Sequence, residues 1–257
     1  MAELLEMKNV SFSAQKQFIV RNFSCIFNEG KITALIGPSG SGKSTVLKLS
    51  AGILVPDEGE VYFRDNEIFS MNRQENLDFR RETAMVFQDS ALWANQSLYQ
   101  ILELPMLIHF PAMSSGERDS RIKEVLSEVG YRRDLSIRPS QLSVGEQKLI
   151  AFARALMCKP ALLYLDELTE SLDESASRRL IQIVRRHRDN DNANAKANAN
   201  ANASGTAIFV CHDFRIIKSL ADYIVMIIGG EFSLKVSREE MEEDEELARH
   251  LEQGIAS

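Results

Sequence analysis

Apolar positions along this chain fall into two alternating patterns. Short, dense apolar runs read as strands: "LLEMKNVSFS" and "FIVRNFSCIF" near the start, then "KITALIG", "GEVYFRD", "ETAMVFQ", "ALLYLDE" and "TAIFVCHD". "IVMIIGG" at 224–230 is far shorter than the roughly 20 apolar residues that span a bilayer, and reads as a buried strand. Helical patterns fall between the runs, over about 43–53, 145–158 and 174–188. Strands and helices in alternation predict an α/β fold.

Residues 89–141 break that rhythm. "SLYQILELPMLIHF" and "SSGERDSRIKEVLSEVG" are both helical in pattern, with no strand between them. In the second, Ile122, Val125, Leu126 and Val129 follow i, i+3, i+4, i+7, which is one apolar helix face. This stretch is expected to be a helical insertion into the α/β core. "NDNANAKANANANASG" at 190–205 has few side chains able to build a core and reads as a flexible low-complexity loop. Residues 237–257 carry "EEMEEDEELARHLEQG", expected to be an acidic helical tail with a solvated face.

Composition narrows the function. A chain of 257 residues with 44% hydrophobic and 26% charged content is an ordinary globular one, able to bury a substantial core. Its net charge of −7 argues against a nucleic-acid partner, because phosphate contacts need a basic surface. Cys25, Cys158 and Cys211 are odd in number and lack CxxC spacing, so neither a disulfide framework nor a zinc site is indicated, and a reducing compartment fits. No basic start followed by an apolar run marks a signal peptide. A membrane role would need a partner to supply the membrane part.

The chemistry is concentrated in two motifs. "GPSGSGKST" (Gly37, Pro38, Ser39, Gly40, Ser41, Gly42, Lys43, Ser44, Thr45) fits G-x-x-x-x-G-K-[ST] between a predicted strand and a helix. Glycines let backbone N–H groups curl around phosphate oxygens, and the helix start adds partial positive charge. Lys43 reaches β- and γ-phosphates, and the Ser44 hydroxyl suits Mg²⁺. "ALLYLDEL" ends an apolar strand in two acids: Asp166 for the Mg²⁺ shell, and Glu167 to orient or deprotonate a water. Three weaker signals follow a consistent order: Gln88 ends "AMVFQ", "LSVGEQ" precedes a helix, and His212 ends "IFVCH".

Taken in that order, these motifs resemble the ATPase subunits of ABC transporters over nearly the whole chain. Gly37–Thr45 are similar to the family's Walker A loop and "LYLDE" to Walker B. Gln88 resembles the Q-loop glutamine, "LSVGEQ" the signature, "SLD" at 171–173 the D-loop and His212 the switch histidine. The resemblance implies a P-loop fold with a mostly parallel core sheet, an antiparallel N-terminal β-subdomain and an inserted helical subdomain. It implies ATP and Mg²⁺ as cofactors, with Ser44, Gln88 and Asp166 around the metal. A second copy is implied as partner, docked head to tail so that each ATP touches one phosphate loop and the other copy's Ser143 and Gly145. Permease subunits would dock near Gln88 and hold the protein on the cytoplasmic face of the membrane. "FQDSALWANQSLYQIL" and "LARHLEQG" further resemble Mla/Mce-type lipid-transport ATPases, with Trp93 in place of a phenylalanine.

The chain also departs from the family pattern. Val144 replaces a glycine, where a β-branched residue at positive φ would be strained. Glu146 replaces a glutamine and brings negative charge toward a triphosphate. Leu149 replaces an arginine, and Leu168 the proline after Walker B. Ala14 stands where an aromatic usually stacks on adenine, leaving Phe12 or, better, Phe18 as substitutes. Only about a hundred residues separate Walker A from the signature, too few for the coiled coil of an SMC-like DNA machine. A ribosome factor of the two-cassette kind would need two such cassettes in one chain, and one is present in this sequence. An FtsE-like regulator of a membrane partner, or an ATP-binding scaffold with weak turnover, stands as the alternative.

Overall fold

The computed structural model describes residues 2–167, 169–189 and 205–256. Leu168 and most of the low-complexity stretch lie outside the described residues. Strands β1 (Glu3–Ala14), β2 (Gln17–Asn28), β4 (Glu58–Phe63) and β5 (Asn66–Glu67) form an antiparallel sheet of order β2-β1-β4-β5. Strands β3 (Ile32–Ile36), β6 (Thr83–Val86), β7 (Leu162–Asp166), β8 (Thr206–Val210), β9 (Tyr223–Ile228) and β10 (Glu231–Ser237) form the second sheet. Its order is β10-β9-β3-β8-β7-β6, and only the β10 edge is antiparallel.

The apolar runs read as unbroken because both faces of this parallel sheet are covered. Ile32, Ala34, Ile36, Leu163, Leu165, Ala207 and Phe209 point into one buried cluster. Their alternates Leu35, Leu162, Tyr164, Ile208 and Val210 point into another, shared with β1, β2, β4 and helix α1 (Lys43–Ser50). α1 stops short of the expected end near residue 53, because Gly52 turns the chain at φ +62°. On the first face lie α5 (Val144–Leu156), α6 (Glu174–Asp189) and α7 (Phe214–Leu220). The stretch 89–141 contains helices α3 (Leu98–His109) and α4 (Ser115–Val129) and, among the described residues, no strand. Ile122, Val125, Leu126 and Val129 are all buried there, and both helices pack on α5. No helix among the described residues is long and apolar enough to cross a membrane.

Helix α2 and the acidic tail also differ from the sequence reading. Helix α2 (Arg73–Glu82) gives no apolar periodicity because Phe79 is its sole buried residue; its signal is the Asn72/Glu75 capping box. The acidic tail is two helices, α8 (Arg238–Glu243) and α9 (Glu245–Ala256), broken at Asp244, whose carboxylate caps the Glu246 and Leu247 N–H groups. It is not simply solvated. Met241 and Leu251 are 2% and 0% exposed, and a Cβ on Gly254 would lie 2.5 Å from the Met226 methyl carbon. The acids face outward while a narrow apolar stripe docks on the sheet.

Truncating that stripe should therefore carry a core penalty. Leu251→Ala is expected to destabilise the fold by about 2–4 kcal/mol, as buried leucine truncations do. Urea unfolding reads it out, and a change below about 0.5 kcal/mol, typical of surface sites, would return the tail to solvent.

Candidate functional site

The order β3-β8-β7-β6 places four parallel strands side by side, and their registers leave the carboxyl ends nearly flush. Leu35 and Asp166 both pair with Val210, and Val86 pairs with Leu165. The loop 37–42 follows β3, His212 follows β8, Glu167 follows β7 and Gln88 follows β6. The fold thus brings these sequence-predicted residues to one sheet edge, where open α/β sheets bind ligands.

The loop after β3 is built for close backbone approach. Gly37 has φ +146°, and a Cβ there would sit 2.1 Å from the Ile227 carbonyl oxygen. Gly42, the N-cap of α1, has φ +92° and would meet the Ile19 carbonyl oxygen at 2.7 Å. No side chain fits at either position. Pro38, Ser39 and Gly40 form the outer turn, closed by the Ser41 N–H on the Pro38 carbonyl, and Thr45 lies in the first turn of α1. The Ser41 hydroxyl is buried with no protein partner, an orphan polar atom inside the loop. Lys43 curls over the loop, donating to the Gly37 and Pro38 carbonyls at 2.8 Å each. Burial lowers its pKa, against the opposing pull of Glu167 and Asp166. The Ser44 hydroxyl donates to Asp166 Oδ1 at 2.8 Å, bringing two hard oxygen donors together, as Mg²⁺ requires.

The acid beside it is held under strain. Glu167 has φ +55°, a left-handed conformation that costs a non-glycine residue on the order of 1 kcal/mol or more. Burial pushes its carboxyl above the usual range, with nearby His212 the main opposing influence. His212 Nε2 lies 2.9 Å from Glu167 Oε1. Gln88 Nε2 donates to Glu170 Oε2 at 3.1 Å, which leaves the carbonyl end of that amide as its cation-seeking atom. These side chains open on a pocket of about 820 Å³ that Glu252 of α9 also lines, a contributor the sequence reading missed.

Ser143 and Gly145 are not part of that edge. Ser143 caps α5: it accepts the Glu146 N–H at 3.2 Å, and Glu146 Oε2 accepts the Ser143 N–H and hydroxyl at 2.9 and 3.0 Å. Val144 is the first residue of α5 and takes helical backbone, so the expected positive-φ strain does not arise. Glu146 is likewise not aimed outward. Its carboxylate turns back to the cap and is gripped by Arg133 at 2.9 and 3.0 Å, which holds it below the ordinary carboxylate range. A Cβ on Gly145 would lie 2.8 Å from the Ser171 carbonyl oxygen, so glycine there permits the stretch 171–173 to pack close. Leu149 packs against the main core, an apolar role in place of the arginine's charge.

The remaining aromatics separate by exposure. Ala14 ends β1 opposite Gln17. Phe12 packs against the second core cluster, whereas Phe18 is 58% exposed with the Arg21 guanidinium 5.0 Å from its ring centre. Leu92 packs on the main core, and Trp93 stays half-exposed beneath Arg154.

Comparison with known proteins places the chain in a family. Residues 20–170 match the family described as ABC transporter. The intermembrane phospholipid transport system ATP-binding protein MlaF of Haemophilus influenzae is 30% identical, over 95% of this chain and 88% of that protein. The nickel import ATP-binding protein NikE of Shigella flexneri is 31% identical, over 85% of this chain and 78% of that protein. The ATP-binding cassette MJ0796, solved as a post-hydrolysis dimer bound to ADP and Pi, superposes with a TM-score of 0.80 at 27% identity, over 91% of this chain and 99% of that one. These relatives differ in cargo and share with this chain the subunit that spends ATP; the chain belongs to the ABC transporter family as an ATP-binding, ATP-hydrolysing subunit.

Proposed function

We propose that this subunit hydrolyses ATP with Mg²⁺ in a head-to-tail pair of copies and drives a membrane permease that moves lipid. The observation that carries the catalytic part is the pairing of Ser44 with Asp166 next to the pairing of Glu167 with His212. Ser44, Asp166 and the Gln88 carbonyl oxygen would hold the magnesium ion, whose charge offsets that of the phosphates. Gly37–Thr45 cradle the phosphates through backbone N–H groups, and Lys43 turns from its loop carbonyls to the β- and γ-phosphates. Glu167, whose carboxyl burial makes more basic, orients the attacking water and accepts its proton. His212 contacts the γ-phosphate and keeps Glu167 in place.

Ser143 and Gly145 serve the other copy's nucleotide. The Ser143 hydroxyl can transfer its hydrogen from Glu146 to a γ-phosphate while still accepting the Glu146 N–H. Two-fold pairing follows, because each copy supplies one phosphate loop and one signature turn. The helical segment 89–141 and the loop after Gln88 offer the permease exposed Trp93, Leu107 and Ile108, which holds the protein at the inner face of the membrane. Lipid as cargo is supported by the "FQDSALW" stretch and the similarity to MlaF over most of both chains.

Replacing Glu167 by Gln keeps the shape of the side chain and removes the base. Phosphate release is expected to fall at least about a hundredfold, the lower end for a general base, while an ATP-bound dimer accumulates on gel filtration. Undiminished release would strip Glu167 of this role.

The signature makes a second, sharper prediction. Arg133→Ala leaves the Glu146 charge uncompensated beside the bound triphosphate, so the ATP concentration needed for dimerisation should rise about threefold. Adding Glu146→Gln should restore it. If Arg133→Ala is silent, or the second change fails to rescue, the pair does not tune nucleotide binding.

A further inference from the structure

Lys148 lies on α5, five residues after the Ser143 cap, and is only 2% exposed. Its ammonium donates to the Gln88 carbonyl at 3.0 Å and to those of Phe87 and Asp166 at 3.4 Å. Three N–H donors meet three carbonyl acceptors, so the group's hydrogen-bonding capacity is filled. Burial lowers its pKa, and the charges of Glu170, Asp166, Glu167 and Asp89 oppose that shift. Burying an ammonium is a poor way to gain stability, since an apolar side chain of the same size packs without the desolvation penalty.

Its location gives it something else to do. β6 and β7 run parallel up to the Val86–Leu165 pair. Beyond that row the chains part: one enters the turn at Ser90 and Ala91, with φ +64° and +42°, and the other reaches Glu167 at φ +55°. Lys148 bridges the two chains where the ladder ends. Arg154, on the same helix, donates to the Ala91 carbonyl at 2.7 Å and the Ser90 carbonyl at 3.4 Å, which tethers only the loop.

We infer that Lys148 is a positioning residue for ATP hydrolysis: it fixes Gln88 relative to Asp166 and ties both to the helix that Ser143 begins. This rests on the assignment of Gln88 and Asp166 to the nucleotide site. A displacement of the loop after Gln88 is thereby passed to the signature helix through a side chain with no contact to nucleotide.

The full-length chain tests this through steady-state hydrolysis and ATP binding in Lys148→Met, Lys148→Arg, Gln88→Ala and the Lys148→Met/Gln88→Ala double variant. Lys148→Met should lower kcat at least about tenfold with KM for ATP changed less than about threefold, the pattern of a lost transition-state arrangement. Lys148→Arg, which keeps charge and donors, should fall between it and the parent. In the Gln88→Ala background, Lys148→Met should cost no more than about threefold, because the two act on one element. Equal fold-losses in both backgrounds would overturn the inference, as would a folded Lys148→Met with parental kcat or a kcat loss that merely tracks the folded fraction. If Lys148→Met does not fold, Lys148→Gln, which keeps two donors without charge, enters the same cycle under the same criteria. Parental turnover in Gln88→Ala would instead remove the reading of Gln88, and this inference with it.

Discussion

Parallel pairing of β3, β8, β7 and β6 obliges four loops to leave the sheet on the same side. The loop 37–42, Gln88, Glu167 and His212 all owe their place to that constraint. Parallel strands need crossover connections; helices cover one face of this sheet, and α1 with the antiparallel sheet covers the other, so the strands are apolar at most positions. Leu163 and Leu165 serve one cluster while Leu162 and Tyr164 serve the other. The Tyr164 hydroxyl even closes on the Ser50 carbonyl at 2.8 Å, pinning the end of α1 to β7. With the strands locked on both faces, the only freedom left at the edge belongs to the loops, and glycine and left-handed backbone fix their shape.

The signature turn shows how a sequence can depart from a family pattern and keep its local geometry. What the site needs from this turn is an N-capped helix that presents a hydroxyl and backbone N–H groups. Ser143 provides the cap, and Glu146 completes a capping box that a glutamine would also complete. The carboxylate adds charge, and Arg133 cancels it. Val144 is harmless because the first turn of a helix tolerates β-branched residues that a left-handed position would not. Only Gly145 has no latitude, since the Ser171 carbonyl fills the space where a side chain would grow.

Much of the edge was legible in the sequence because its chemistry leaves little choice. A loop that wraps phosphate needs glycine at fixed spacing, and two acids after an apolar strand stand out. The parts that were not legible failed for physical reasons. Lys148 contradicts the rule that lysines face water, and nothing local marks the three carbonyls that justify its burial. α2 buries one side chain, so no apolar period betrays it. In the tail, the surrounding acids obscure Leu251, whose burial depends on a sheet more than two hundred residues away in β3. Glu252 is carried to the pocket by that same docking. Residues 190–204 and Leu168 lie outside the described residues, so the flexible-loop reading stays an expectation.

The hydrogen bonds of the edge also constrain where its affinity for nucleotide arises. Lys43, Ser44, Gln88, His212 and Ser143 each hold an internal partner. A ligand that took the Ser44 or Ser143 hydrogen would exchange a bond rather than add one. Exchanged bonds are worth about 0.5–1.5 kcal/mol net, against about 4–6 kcal/mol for one made from nothing in an apolar medium. A larger gain is open to groups that hold no internal partner, such as the buried Ser41 hydroxyl, and to the dipole at the start of α1. On the proposed reading, these side chains contribute less to how tightly ATP binds than to how its γ-phosphate is oriented. A site that commits its polar groups to geometry in this way fits a subunit that hydrolyses ATP.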